Sequence, residues 1–216
     1  AANIEAAIED SLSRLGTDYL DVYFAHIDDQ EVPLEETLGA FDRLIKAGKV
    51  RAIGASNYSS DRLEQALAVS RDHGFARYEL IQPLYNLHDR ADFESSLAKV
   101  ASEHNLGVVS YFSLASGFLT GKYAQLSDLE GNPRADFLNG YFSDRGQRIL
   151  DTLMAVSQEA SAKPSQVALA WLLHQPELTA PIVSSTSLSQ LDEILASVKL
   201  SLPEEMLSRL DAASRQ

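Results

Sequence analysis

His26 closes the run YLDVYFAH over residues 19–26, and a polar loop, IDDQEVPLEET, follows it. That places a titratable imidazole at the carboxyl end of a core strand, the end at which parallel α/β folds build their active sites. Other apolar runs finish the same way. Ser56 and Asn57 follow VRAIG; Gln82, Tyr85 and Asn86 lie at the end of YELIQ and just beyond it. Tyr111 and Ser113 lie at the end of GVVSYF, and Ser184 and Ser185 at the end of APIVS. The carboxamides of Asn57 and Gln82 offer donors and acceptors in fixed planes and suit a ligand that itself bears a carboxamide. Tyr111 can stack on a flat heteroaromatic ring. The stretch SLASGFLTGK after it combines hydroxyls, glycines and Lys122, a composition that lets backbone N–H groups approach a phosphate, although it matches neither GxGxxG nor a P-loop.

Each cluster alone has a plainer reading. Ser56-Asn57 serves equally as a turn and helix cap, Asn86 as a loop cap, and a lone strand-end histidine as a satisfied structural group. Their recurrence on one side of the chain carries the argument, because the helix-to-strand connections are plain stops such as KAGK and ASEHNLG. The asymmetry points to a ligand site on the carboxyl face. Asp28 and Asp29 beside His26 do not by adjacency make a hydrolytic carboxylate pair, and with no HExxH or EF-hand spacing no metal is expected.

The elements that must hold these groups alternate. Helical periodicity covers 3–15, 33–47, a capped segment after SNYSS, 92–104, 146–160, 164–175, 187–197 and the tail LPEEMLSRLDAAS. Strand patterns cover 19–25, 50–54, 78–82, 107–112 and 180–184. Five strands, each followed by a helix and several apolar along their whole length, predict a parallel sheet with right-handed crossovers. Residues 113–145 interrupt the rhythm as one long connection, the kind of segment that often binds or covers a ligand.

The 216 residues suffice for one sizeable core, and 45% hydrophobic with 23% charged residues is ordinary for a soluble globular chain. A net charge of −13 argues against nucleic-acid partners, which are held by clustered Lys and Arg. With no cysteine there is no disulfide, thiolate nucleophile or Cys-ligated metal, which fits a cytoplasmic protein. No apolar run reaches membrane-span length and the acidic, amphipathic start is not a secretory signal. The chain opens inside a helical pattern with no capping lead-in, from which further chain upstream is expected.

Five segments in order, LGTDYLDVYFAH, GKVRAIGASNYSSDRLEQAL, IQPLYNLHDR, VVSYFSLASGFLTGKY and VALAWLLHQPELTAPIVSSTSLSQLDEIL, give the whole chain a close resemblance to the aldo-keto reductase superfamily. The resemblance implies the (β/α)8 TIM-barrel fold. The chain is then a single partial barrel domain over 1–216, about five parallel βα units that match strands four to eight, without the first three units. It implies an oxidoreductase moving a hydride between NAD(P)H and the carbonyl of an aldehyde or ketone. Of the family's catalytic Asp, Tyr, Lys and His only the last matches, at His26. Ser56, Asn57 and Gln82 match the nicotinamide carboxamide set and Tyr111 the stacking residue. Ser113, Leu114, Gly117, Leu119 and Lys122 match the pyrophosphate loop, and Glu193 an adenosine-contacting acid.

Where many relatives place Lys or Arg against the NADP 2′-phosphate, this chain has Ser184, Ser185, Thr186 and Gln190, so a weakened NADP preference is expected and either NADP(H) or NAD(H) fits. With none of the family's proton donor, the 216 residues alone are expected to be inactive. The alternative is a non-catalytic nicotinamide-nucleotide-binding or regulatory subunit. The expected partners are a small carbonyl substrate, with Tyr58, Phe112 and Phe142 facing it, and, through open sheet edges, a second copy or a complementing N-terminal segment; nucleic acid and membrane are not expected.

Overall fold

The computed structural model describes residues 1–131 and 135–215. All strand pairings are parallel and helices fall between the strands, the arrangement of a partial (β/α) barrel. The described chain forms two compact units, Ala1–Pro83 with Ser96–Val108, and Leu84–Ser95 with Val109–Gln216.

The first unit contains α1 (Ala2–Leu15), β1 (Leu20–Ala25), α2 (Leu34–Lys46), β2 (Val50–Ser56), α3 (Ser60–His73), β3 (Tyr78–Gln82), α4 (Ala98–Glu103) and the first half of β4 (Gly107–Ser110). Its logic is clearest in α2. Leu34, Leu38, Phe41 and Leu44 recur every three or four residues and are buried, while Glu35 and Glu36 stay in water. Burying side chains of that size contributes about 1.5–3 kcal/mol each. β2 lies between β1 and β3, with Ala25 opposite Ala55 and Ser56 opposite Gln82. This register brings three strand ends level. Gly54 permits it, since a Cβ there would lie 2.4 Å from the Phe24 ring and 3.1 Å from the Leu80 carbonyl. Ser59 caps α3 by accepting the Arg62 N–H at 3.2 Å.

The second unit contains the rest of β4, α5 (Ala135–Leu138), α6 (Asp144–Glu159), α7 (Pro164–Leu173), β5 (Ala180–Pro181), α8 (Leu188–Ser197) and α9 (Glu204–Ser214). β4 pairs with β5 through Val109–Ala180 and Ser110–Pro181. Ile149 and Leu153 of α6, Val167 and Trp171 of α7, and Leu210 of α9 are fully buried. Arg90 is also buried. Its guanidinium donates to Glu94 (2.8 Å), Asp211 (2.8 Å) and Ser214 (2.7 Å) and stands 4.8 Å over the Trp171 ring, whose Nε1 donates to Asp211 at 3.0 Å. A cation can be kept out of water only where its donors are so fully engaged.

The boundaries depart from the sequence reading in physically transparent places. The last strand is two residues, not 180–184: Ile182 still donates to the Ser110 carbonyl at 2.8 Å, but Pro181 offers no N–H. β4 stops at Ser110, and Tyr111 forms only an isolated bridge with Leu84. The expected helix 92–104 contains a π-helical turn, Phe93–Leu97, before α4. The 113–145 connection is built of short helical turns, Ala115–Thr120, Leu126–Leu129, α5 and Asn139–Tyr141; its residues 132–134 lie outside the described residues. Among the described residues no helix is long and apolar enough to cross a membrane.

Candidate active site

The expected site residues fall into two groups, one in each unit. In the first unit His26, Ser56, Asn57 and Gln82 meet at the level ends of β1, β2 and β3. Asn57 Nδ2 donates to the His26 carbonyl at 2.8 Å and reaches Ser56 Oγ at 3.2 Å, and Ser56 Oγ donates to the Gln82 carbonyl at 2.8 Å. Asn57 holds this position with φ 56, a left-handed backbone that asparagine tolerates better than most residues. Ser56 is buried and works as a strut between strands, whereas the His26 ring is exposed. The half-exposed Gln82 carboxamide makes no hydrogen bond among the described residues. Its donors and acceptor are those a carboxamide-bearing ring needs. Behind His26, Arg62 Nε grips both Asp28 oxygens at 3.1 and 3.0 Å and fixes the loop that follows β1. Asp28 is thereby committed to structure.

In the second unit Tyr111, Ser113, Leu114, Gly117, Leu119 and Lys122 form one turn after β4. Four residues close together have positive φ: Phe112 (52), Ala115 (48), Ser116 (55) and Gly117 (102). Left-handed conformations at non-glycine residues cost of order 1–3 kcal/mol each and concentrate at functional sites. The Ser113 hydroxyl is buried and donates to the Ile182 carbonyl at 2.9 Å, tying the turn to the end of β5. The Leu114 carbonyl accepts the N–H groups of Gly117 (2.8 Å) and Leu119 (3.3 Å), and Leu119 is fully buried beneath. Lys122 folds back over the turn: a Cβ on Gly117 would meet Lys122 Nζ at 3.4 Å, and the same ammonium lies 4.7 Å from the Tyr123 ring centroid. An ammonium held against a glycine backbone fits a phosphate-bearing ligand. Burial, reinforced by the charge of Asp89, pushes the Tyr111 hydroxyl up, so the ring stays neutral.

The residues around the start of α8 are largely occupied with one another. Gln190 Oε1 accepts the Thr186 N–H at 2.8 Å and the Thr186 hydroxyl at 3.0 Å; Ser187 caps the helix. Ser184 is exposed and Ser185 half-buried. Glu193 is taken up by Lys163 Nζ at 2.6 Å and by the Ser165 hydroxyl; burial raises its carboxyl, but these two partners leave it below the usual range. Of the residues expected to face substrate, Tyr58 is instead buried with its hydroxyl 3.0 Å from that of Tyr78. Phe142 packs edge-on against Phe118, and only Phe112 stands exposed, edge-on to Phe137.

One group was not foreseen as functional. Asp89 Oδ2 accepts the Tyr141 hydroxyl (2.6 Å) and Asn86 Nδ2 (2.9 Å), and Oδ1 lies 3.0 Å from His88 Nδ1. The Asn-x-x-Asp spacing in NLHD was the available signal, since it makes an Asx turn; Tyr141 lies 52 residues away and gave none. Among the described residues no grouping of three His, Asp or Glu side chains could hold a metal ion.

The described strands pair in parallel with helices between them, as in a partial (β/α) barrel. The aldo/keto reductase family model matches residues 1–215, and the chain belongs to that family. It is 31% identical over 212 residues to a probable aldo-keto reductase 1 of Glycine max, covering 96% of this chain and 58% of that protein. It is 29% identical over 213 residues to the L-glyceraldehyde 3-phosphate reductase of Escherichia coli K12 (95% and 61%). It is 32% identical over 214 residues to a putative voltage-gated potassium channel subunit beta of Schizosaccharomyces pombe (93% and 61%). The chain thus spans about three fifths of the length of these curated relatives.

Proposed function

We propose that this chain is the cofactor-binding part of a carbonyl reductase, with His26 as the group that orients the substrate carbonyl. The observation that carries the reading is the hydrogen-bonded cluster His26–Asn57–Ser56–Gln82 at three level strand ends, with the Gln82 carboxamide open. Gln82, with Asn57 beside it, holds a nicotinamide carboxamide at the strand ends of the first unit; in the second unit Tyr111 offers a stacking face and Lys122 an ammonium for a pyrophosphate. When bound, the reduced nicotinamide supplies a hydride. His26 donates a hydrogen bond to the carbonyl oxygen and holds it in line, and positioning of this kind supplies a large part of such a rate. Tyr58 and Tyr85 are not assigned as the proton donor, because the Tyr58 hydroxyl is paired with that of Tyr78 and the Tyr85 hydroxyl donates to Glu94 at 2.8 Å. On this reading the 216 residues, which carry none of the family's proton donor, bind cofactor without turnover in the cytoplasm.

Around the 2′-phosphate, Ser184, Ser185, Thr186 and Gln190 supply uncharged hydrogen bonds, about half as strong as those from Lys or Arg. NADPH and NADH should consequently bind within about tenfold of each other. Calorimetric titration of the chain with both nucleotides tests the reading. Saturable binding that weakens about tenfold in Gln82→Ala supports it, one lost polar anchor being worth roughly that; no binding of either nucleotide, or steady reduction of a simple aldehyde by the chain, counts against it.

A second reading has one observation behind it, the likeness to a protein named as a channel subunit beta. In that case the nucleotide site serves regulation of another protein, and nucleotide binding persists with no carbonyl reduction even when a segment carrying the family's Asp, Tyr and Lys is added.

A further inference from the structure

The turn that carries Tyr111 and Lys122 cannot hold its own shape. Phe112, Ala115 and Ser116 are non-glycine residues in left-handed conformations, and Phe112 keeps a large ring exposed to water. Unsupported, such a segment relaxes to ordinary backbone. Besides the Ser113 hydroxyl, which ties the turn to the Ile182 carbonyl, the support comes at Phe112. The Phe112 carbonyl accepts Asn86 Nδ2 at 3.0 Å, in addition to the Ala115 N–H at 2.7 Å. Asn86 is fully buried and uses every polar atom of its amide: Nδ2 donates to Phe112 and Asp89, and Oδ1 accepts the N–H groups of His88 and Asp89, both at 2.8 Å. Its plane is therefore set by Asp89. The same carboxylate oxygen accepts the Tyr141 hydroxyl at 2.6 Å. Tyr141 is buried, stacks on Phe118 at 5.3 Å, and closes the 113–145 connection. Arg145 Nη2 donates to the His88 carbonyl at 2.8 Å and holds the Asx turn from the side of α6.

We infer that Asp89 is a positioning residue for the nucleotide-binding turn: through Asn86 it sets the Phe112 backbone, and through Tyr141 it fastens the long connection to the same point. The inference rests on the proposed nucleotide site for its consequence, but the brace itself is a property of the turn. It touches no ligand atom and acts through Asn86. One carboxylate oxygen holds both segments, so losing it should loosen both at once, whereas losing the Tyr141 hydroxyl should loosen only the connection.

The test uses the 216-residue chain and two readouts, amide hydrogen exchange and calorimetric affinity for NADPH, on Asp89→Ala, Asp89→Asn, Tyr141→Phe and the control Asp128→Asn. Asp128 caps the Leu126–Leu129 turn and lies in no part of the site. Asp89→Ala should speed exchange across both 111–120 and 135–142 and weaken NADPH about tenfold or more, the scale expected when charge-assisted hydrogen bonds are lost. Asp89→Asn, which keeps the shape and one acceptor, should give the same pattern at smaller amplitude. Tyr141→Phe should speed exchange in 135–142 and leave 111–120 and NADPH affinity within about threefold of the parent, because the Asn86 clamp remains. Asp128→Asn should affect neither segment. The proposal is overturned if Asp89→Ala leaves 111–120 as protected as in the parent. It is also overturned if the parent binds NADPH and the variant, corrected for any unfolded fraction, binds equally well. Should the parent bind no nucleotide, the cofactor reading fails, and exchange in 111–120 still decides the brace.

Discussion

At residue scale the chain separates groups that hold structure from groups left for a ligand. Ser56, Ser113 and Asn86 were all candidates for contact with a ligand, yet each is buried with its polar atoms spent on neighbouring carbonyls or N–H groups. Gln82 and His26 are the ones whose side chains remain available. This division was invisible in the sequence, because hydroxyl and amide types announce hydrogen bonding but not the partner. His26 is expected to act on substrate alone, so His26→Ala should leave NADPH affinity within about twofold of the parent, as surface groups without a contact do. A calorimetric loss beyond tenfold would place the imidazole on the cofactor instead. Asp89 gives a pH prediction. Burial raises its carboxyl, but hydrogen bonds from His88, Tyr141 and Asn86 outweigh that and hold it below the usual range. Its contribution to stability is thus complete above about pH 4, the unfolded carboxyl value, and disappears as pH falls through the depressed folded value. Urea midpoints between pH 6 and pH 2.5 should fall less steeply in Asp89→Asn than in the parent, and parallel curves would remove Asp89 as a contributor.

At the scale of elements, periodicity worked where an element has one buried stripe. α1 and α2 were readable to within a residue or two because their apolar stripes and stops are local. The strands β4 and β5 read too long: the missing N–H at Pro181 was there to be read, whereas the departure of Tyr111 toward Leu84 is a tertiary fact. The 113–145 segment was legible as a long connection but not as a series of short turns, each too brief to show a period. Its closing junction depends on Gly146, where a Cβ would lie 1.7 Å from the Tyr141 carbonyl oxygen. Gly146→Ala must displace the Asn139–Tyr141 turn or the start of α6 and should cost about 1–3 kcal/mol, as overpacking does. Chemical denaturation reads this directly, and an unchanged midpoint would mean the junction adjusts freely.

At the scale of the whole molecule, the parallel sheet and the βα alternation were both written in the sequence, as was the family. The chain also leaves apolar surface uncovered. Leu188, Leu191, Leu195 and Val198 recur along one face of α8 and its end, and are 81%, 41%, 57% and 70% exposed. β1 has a strand neighbour on one side only among the described residues. Exposed apolar stripes and unpaired edges drive association. Sedimentation at increasing concentration should show the 216-residue chain self-associating, with Leu191→Glu and Leu195→Glu together shifting it toward monomer; a parent chain that stays monomeric throughout would refute this.

The central claim is that the level strand ends of the first unit hold a nicotinamide carboxamide. Nuclear magnetic resonance on the isotope-labelled chain, titrated with reduced nicotinamide mononucleotide, tests it most directly. The account predicts that the side-chain amides of Gln82 and Asn57 shift together along one saturable curve. Shifts confined to one of these groups, or following separate curves, would contradict it.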